Sequence, residues 1–347
     1  LEIALGYELV NQEMTMTTVY VGATNGVYAL TDGAIEPLGL LNERIWAIHA
    51  WRESTADVIL AGSYGNGMFR SADGGKSWPP ANDGLTASAF RCISADPLDP
   101  TAILAGTEPA RLYRSRDGGT SWSELSGITR IDGYQDWYLP YSPRAGAIRN
   151  VYAPPGSTNR VFASVEVGGL LRSDDAGITW TCAPVIADDD IHHITGHPTD
   201  PNLLYASLGY AALPKRRASA GNYHFGGIGR SRDGGATWEK LEGDYTRATI
   251  IPSARPDLVL AGPSPDVGRN GRIVVSSNGG DTWNLASAGL DVPMPDMVEL
   301  FVEAPDRSIW AITSGGRLLR AEPGDWHWHS ALPNGSDLNV QSVSFLL

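Results

Sequence analysis

The chain carries only two cysteines, Cys92 and Cys182, in 347 residues. Two thiols exclude a disulfide framework and read as small core residues in a reducing compartment. Basic residues are scarce as well: Lys+Arg number 26 against 39 Asp+Glu, a net charge of −13. Nucleic acid is therefore not an expected partner, because phosphate neutralisation needs basic surface. Docking on anionic membranes is excluded on the same ground. No apolar run reaches the roughly 18 residues of a spanning helix. The opening stretch, LEIALGYELVNQEM, has neither the basic start nor the apolar centre of a secretory signal. Residues 1–15 read as an N-terminal extension, with Met14 or Met16 as the natural start and the fold over 16–347. The expected compartment is the cytoplasm, or the exterior if a signal has been removed. The run PDVGRNGR (265–272) lacks the spacing of a phosphate loop, and no cofactor is implied. On a strand, His193 and His197 share a face while His192 points the other way. No metal is therefore expected.

What the chain has in abundance is one phrase. SADGGKSW (71–78), SRDGGTSW (115–122), SDDAGITW (173–180), SRDGGATW (231–238) and SSNGGDTW (276–283) repeat along it. The third positions are Asp73, Asp117, Asp175, Asp233 and Asn278, spaced 44, 58, 58 and 45 apart (117 − 73, 175 − 117, 233 − 175, 278 − 233). A unit of about 40–50 residues with occasional insertions fits a four-stranded propeller blade. Seven β-rich runs closing on small residues, from VYVGA to SIWAIT, supply second strands. Two further phrases, YALTDG and LLRAEPGDW, are degenerate copies. The terminal VQSVSFLL is a first strand without a blade of its own, and pairing with VYVGA would close the ring. The expected fold is all-β: a seven-bladed propeller of four-stranded antiparallel blades closed by the terminal strand.

The phrase is a turn device. Aspartate, or asparagine at 278, accepts hydrogen bonds from turn amides, Ser or Thr adds another, and glycine supplies backbone angles that side chains resist. The tryptophan buries its ring beneath the turn. These residues are structural, at the blade rim, and carry no chemistry.

The phrases resemble the Asp-box of the BNR/Asp-box propeller superfamily, which includes sialidases, sortilin-type receptors, xyloglucanases and photosystem II assembly factors. AGTEPARLYRSRDGGTSW and GGLLRSDDAGITW resemble bacterial single-domain propellers labelled glycosyl hydrolases. The resemblance implies the fold and a sialidase-like or sortilin-like architecture. A sialidase would carry a Phe/Tyr-Arg-Ile-Pro segment; the nearest stretch is FRCI at 90–93, so typical sialidase activity is not implied.

Aligning the first strands on their trailing proline places Trp46, Arg91, Arg149, His192, Arg247, Glu299 and Gln341 at one repeat-equivalent position. The second strands end at Tyr64, Glu108 and Glu166. If these positions converge on the axis, three arginines form a polar pocket for an anionic or carboxylate-bearing small molecule or glycan. Trp46, Tyr64, Arg91, Arg149 and Arg247 would bind, with Tyr134 and Trp137 of the insertion DGYQDWYLPYSPR (132–144) as an aromatic wall. Glu108, Glu166 and Glu299 would supply acid and base for glycoside hydrolysis. His192 or His193 with a tyrosine would serve a uronate lyase-like proton abstraction. The competing reading starts from the spacing of 17 between Arg91 and Glu108 and between Arg149 and Glu166 (108 − 91, 166 − 149). Each arginine then pairs with the glutamate of its own blade, and the molecule is a non-catalytic scaffold for a protein partner.

Overall fold

A computed structural model describes residues 18–139, 145–183, 189–210, 226–241 and 243–346. The proposed extension 1–15, most of the insertion 213–227 and the end of the 132–144 insertion, Tyr141 included, lie outside these residues.

Seven antiparallel sheets follow one another along the chain. We number them as blades I to VII. Blade I joins Val19–Ala23, Gly26–Thr31 and Ala34–Gly39 to the C-terminal Val340–Phe345. Val19 faces Phe345 and Val21 faces Val343 across this seam, so the ring closes by the terminal pairing that the repeat implies. Blades II to VII begin with inner strands at Ile45, Ala89, Ala147, Ile191, Tyr245 and Val298. Blade II has three strands; its fourth is reduced to a bridge between Phe69 and Pro80.

Burial explains why second strands read as continuous apolar runs. Val161–Glu166 and Leu204–Leu208 are buried at every position, because each lies in a sheet sandwiched between two neighbouring blades. The outer strand Thr181–Cys182 is exposed. Cys182 is thus a surface residue and not the core thiol expected from composition, whereas Cys92 is packed against Gly106 and Ile148. A side chain at Gly106 would strike both.

The repeated phrase folds as a tied turn. In blade II, Ser71 Oγ donates to Asp73 Oδ1 at 2.7 Å and accepts from Gly75 N at 2.8 Å. The amides of Lys76 and Ser77 both donate to Asp73 Oδ1 at 3.0 Å, and Ser77 Oγ donates to Oδ2 at 2.6 Å. Gly75 has φ +91°, where a side chain would also meet Leu38 of blade I. Asp117, Asp175 and Asp233 repeat the pattern. Asn278 keeps it with one reversal: its Oδ1 accepts from Thr282 N, and its Nδ2 donates to Thr282 Oγ1 at 2.9 Å. Tryptophans follow each turn into the joint with the preceding blade. Trp122 Nε1 donates to Ala81 O at 3.2 Å and Trp328 Nε1 to Ala286 O at 2.8 Å.

Candidate functional site at the propeller axis

The inner strands share a defect. Pairing between inner and second strands shifts register near the start of the inner strand in every blade, and the skipped residues include Trp46, Arg91, Arg149, His192, Arg247, Glu299 and Gln341. Each is therefore part of a β-bulge, which leaves a residue outside the ladder and re-aims its side chain. All seven line one cavity of about 300 Å³. The convergence inferred from repeat alignment is thus present, and the bulge is its structural cause. Because bulges sit at the start of the inner strands, the cavity opens on the face opposite the tied turns.

Charge around the axis is organised as a chain. Arg91 Nη1 donates to Glu108 at 3.0 Å and its Nη2 to Glu166 at 3.1 Å. Arg149 also reaches Glu166 at 3.1 Å, and its Nη2 lies 3.5 Å from Glu299. Arg247 pairs with the other oxygen of Glu299 and donates through Nε to Tyr245 Oη at 2.9 Å. Tyr245 Oη lies 2.8 Å from His192 Nε2, which lies 3.1 Å from Asp190. Burial opposes the charge on Arg247, but Glu299, Tyr245 and Glu166 together outweigh it and hold the guanidinium above its usual range. Burial, followed by the nearby Asp190, pushes the Tyr245 phenol up.

The pairs within one blade, Arg91–Glu108 and Arg149–Glu166, are those expected from the spacing of 17. The pairs Arg91–Glu166 and Arg149–Glu299 join different blades. Exposure separates the members. The Arg91 side chain is 3% exposed, whereas Arg149, Arg247 and Glu299 are 20%, 15% and 19% exposed and line the cavity. Neither Glu108 nor Glu166 does so; both are held behind the lining by arginine.

One side of the opening is aromatic. Trp46 and Tyr64 stack at 4.0 Å with planes 23° apart, and Tyr64 Oη donates to Glu108 at 3.2 Å. The guanidiniums of Arg91 and Arg44 lie 4.4 and 5.2 Å from the Trp46 ring centre, a cation–π arrangement. His193 also lines the cavity; burial, reinforced by Arg149, lowers its pKa to about 4, so it is neutral at pH 7. Three cavity-lining side chains hold a buried nitrogen without a hydrogen-bond partner: Trp46 Nε1, His192 Nδ1 and His193 Nδ1. Buried polar atoms ordinarily find partners, so this grouping marks the axis as the least satisfied part of the described structure.

The insertion contributes differently from the expectation. Trp137 is 6% exposed and packs in the core of blades III and IV against Gly146 and Gly168; it is not a stacking wall. Tyr134 leans on it at 5.1 Å, and neither ring lines the cavity. His197 turns away, its Nδ1 accepting from Asp200 N at 3.1 Å in a surface turn. Glu166, Asp190 and His192 bring one donor atom each to within 4.8 Å of one another. Arg91 and Arg149 already share Glu166 Oε2, so guanidinium supplies the positive charge there and no metal ligand set is assigned. Sequence alignment missed Arg44, Asp190 and Tyr245. Each lies two residues before an axial residue, and i, i+2 alternation is the signal that could have found them.

Comparison with solved structures places this architecture among propellers of diverse use. The chain superposes on a GH74 xyloglucanase from Xanthomonas campestris with a TM-score of 0.64 at 19% identity, over 95% of this chain and 52% of that one. A GH74 enzyme from Niastella koreensis gives 0.63 at 16%, over 96% and 52%. The chain thus spans about half the length of these GH74 structures. YCF48 bound to D1 peptide gives 0.57 at 18%, over 89% of this chain and 94% of that one. At these identities the likeness shows the fold alone. No family model and no curated protein matches the sequence. No helix among the described residues is long and apolar enough to cross a membrane.

Proposed function

We propose that this propeller is a binding protein whose axial cavity takes a small carboxylate-bearing molecule, sugar acids foremost, without cleaving it. The observation that carries the reading is the pair of guanidiniums at the cavity wall. Arg149 and Arg247 are partly exposed there and meet at Glu299, with Arg149 also held from behind by Glu166. A ligand carboxylate entering beside them accepts hydrogen bonds from both. Hydroxyl groups of the same ligand find the neutral His193 and Trp46 on the surrounding wall; Tyr64 stacks behind Trp46 and does not itself line the cavity.

Catalysis is the weaker reading on two counts. Glycoside hydrolysis by the common route needs two carboxylates flanking the bond, and Glu299 is the one carboxylate among the described residues of the cavity wall. Proton abstraction needs a base with a pKa near the working pH, and His193 lies well below it at about 4. The Tyr245 phenol is buried and shifted upward, which makes it a poor base as well. The scaffold reading, which calls for mutually satisfied pairs and a narrow or filled channel, is met in its first part, since every axial arginine has a carboxylate partner; the cavity of about 300 Å³ is not filled by side chains.

A thermal-shift screen of sugar acids and simple carboxylates tests the proposal. A ligand at a hundred times its Kd stabilises by about 2.7 kcal/mol, enough for a rise of several degrees. Galacturonate or glucuronate is expected to raise the wild-type midpoint and to leave Arg149→Ala and Arg247→Ala unmoved. A screen in which no carboxylate raises the midpoint sinks the proposal; a rise that survives both substitutions means that the ligand sits elsewhere.

A further inference from the structure

The joint between blades VII and I, where the ring closes, departs from the other joints. In blade IV, Val161 faces Ser173 across the second and third strands, and the register of the fourth strand places Trp180 opposite that serine. In blade I, Val19 faces Leu30 and Leu30 faces Ile35. Leu30 thus stands where the turn serine stands elsewhere, and Ile35 stands where the tryptophan stands. The tied turn itself is replaced by a two-residue hairpin, Asp32–Gly33.

Two consequences meet in one place. A slot of about 290 Å³ lies at this joint, walled by Val19, Leu30, Trp310, Ala331 and Phe345, with Arg320 at its side. Ala331 lies three residues past Trp328, as Ala81 lies three past Trp78 and Ala286 three past Trp283. Ala81 and Ala286 are the carbonyls that receive the indole N–H of the following blade's tryptophan. The second consequence concerns arginine. Arg70, Arg114 and Arg230, each preceding a turn serine, donate to backbone carbonyls of the next blade's turn at Gly118, Ala176 and Gly279. Arg320 occupies the same position in blade VII, but the next turn is the short hairpin. Its Nη2 binds Asp306 and Glu322, and its Nε is buried without a partner. The slot lies at the ends of the strands far from the axial cavity: Ala304–Asp306 wall it, whereas Glu299 at the start of the same strand faces the axis.

We propose that this slot is a docking site for a tryptophan side chain of a partner polypeptide. The indole seats as Trp122 and Trp328 seat in their joints, with its N–H on the Ala331 carbonyl, and Arg320 Nε donates to a carbonyl of the incoming turn. The template is on hand in the same molecule: those two joints show which ring and which acceptor fit, and Arg70, Arg114 and Arg230 show which guanidinium, whereas Trp180 and Trp238 donate to glycine carbonyls of their own turns.

The probe is N-acetyl-tryptophanamide, titrated against the full chain and followed by saturation-transfer NMR. Wild type is expected to bind it weakly. Ile35→Trp, which restores a tryptophan at the repeat position opposite Leu30, and Ala331→Phe, which enlarges a wall residue, are expected to abolish binding, with Ile35→Trp also raising the unfolding midpoint. Arg320→Met is expected to bind about tenfold more weakly, the loss of one hydrogen bond from a charged donor. No transfer to wild type overturns the proposal, as does transfer that persists in both filled variants. Unchanged affinity in Arg320→Met overturns the role of that arginine. None of these outcomes depends on the axial cavity, whose galacturonate response is read separately.

Discussion

At the axial end of the blades, charged side chains meet around a cavity; at the opposite end, tryptophans seal the joints. Both ends come from one repeated unit, and the difference lies in what each does to the strand ladder. The axial end breaks the ladder with a bulge in each inner strand, freeing side chains such as Arg149 and Glu299 to face a common space. The far end closes the ladder with a turn tied by its aspartate and serine, and then covers it with an indole. Function is therefore sought where pairing is interrupted, and stability where it is completed. The ring closure is the informative exception, because there the far end lacks its plug.

The comparison breaks most visibly if a plug is removed. Trp328 is 1% exposed, with its N–H bonded to Ala286 O. Trp328→Ala is expected to cost about 3–5 kcal/mol, the range for truncating a large buried ring, measured as the loss of unfolding free energy in denaturant. A cost under about 1 kcal/mol would mean that the joints do not depend on their tryptophans.

A smaller effect is expected at the axial end. Arg91→Met removes a guanidinium whose side chain is 3% exposed and takes one hydrogen bond each from Glu108 and Glu166. Breaking a buried pair from one side costs about 3 kcal/mol. The double variant with Glu108→Gln is expected to recover part of that loss, because the stranded charge goes with it. A double variant no more stable than Arg91→Met would show that the network is not balanced as described.

The smallest effect appears only in acid. Hydrogen bonds from the hydroxyls of Ser77, Thr179 and Thr237, together with turn amides, hold Asp73, Asp175 and Asp233 at about 2. Their folded values lie below the unfolded value near 4, so their contribution is complete above about pH 4 and is lost as pH falls toward 2. Asn278 makes the same turn without a titrating group. Converting Asp73, Asp175 and Asp233 to asparagine together is expected to flatten the stability profile between pH 4 and 2, followed by circular dichroism, with little change at pH 7. A variant with an unaltered acid limb would exclude the turns as its source.

Much of this was legible before any coordinates. The turn phrase, the apolar second strands and the orphan terminal strand are local patterns, and local patterns fix the blade and its number. Alignment on a trailing proline also brought the axial positions together, since equivalent places in a closed ring share an axis. Trp137 was misread because an aromatic residue in a polar insertion gives no sign of whether it folds back into the core. Cys182 was misread because exposure depends on which strand of the blade is outermost.

The sequence by itself determined a repeated, self-closing all-β chain with rim turns and a polar axis, because hydrogen bonding within a unit and burial between units depend on residues near one another in the chain. Only the tertiary structure decided that Arg91 would reach Glu166 and Arg149 reach Glu299, 75 and 150 residues away. It alone decided that the missing tryptophan of blade I would leave a slot against blade VII. Both are consequences of ring geometry, which sets neighbours by angle around an axis and not by distance along the chain.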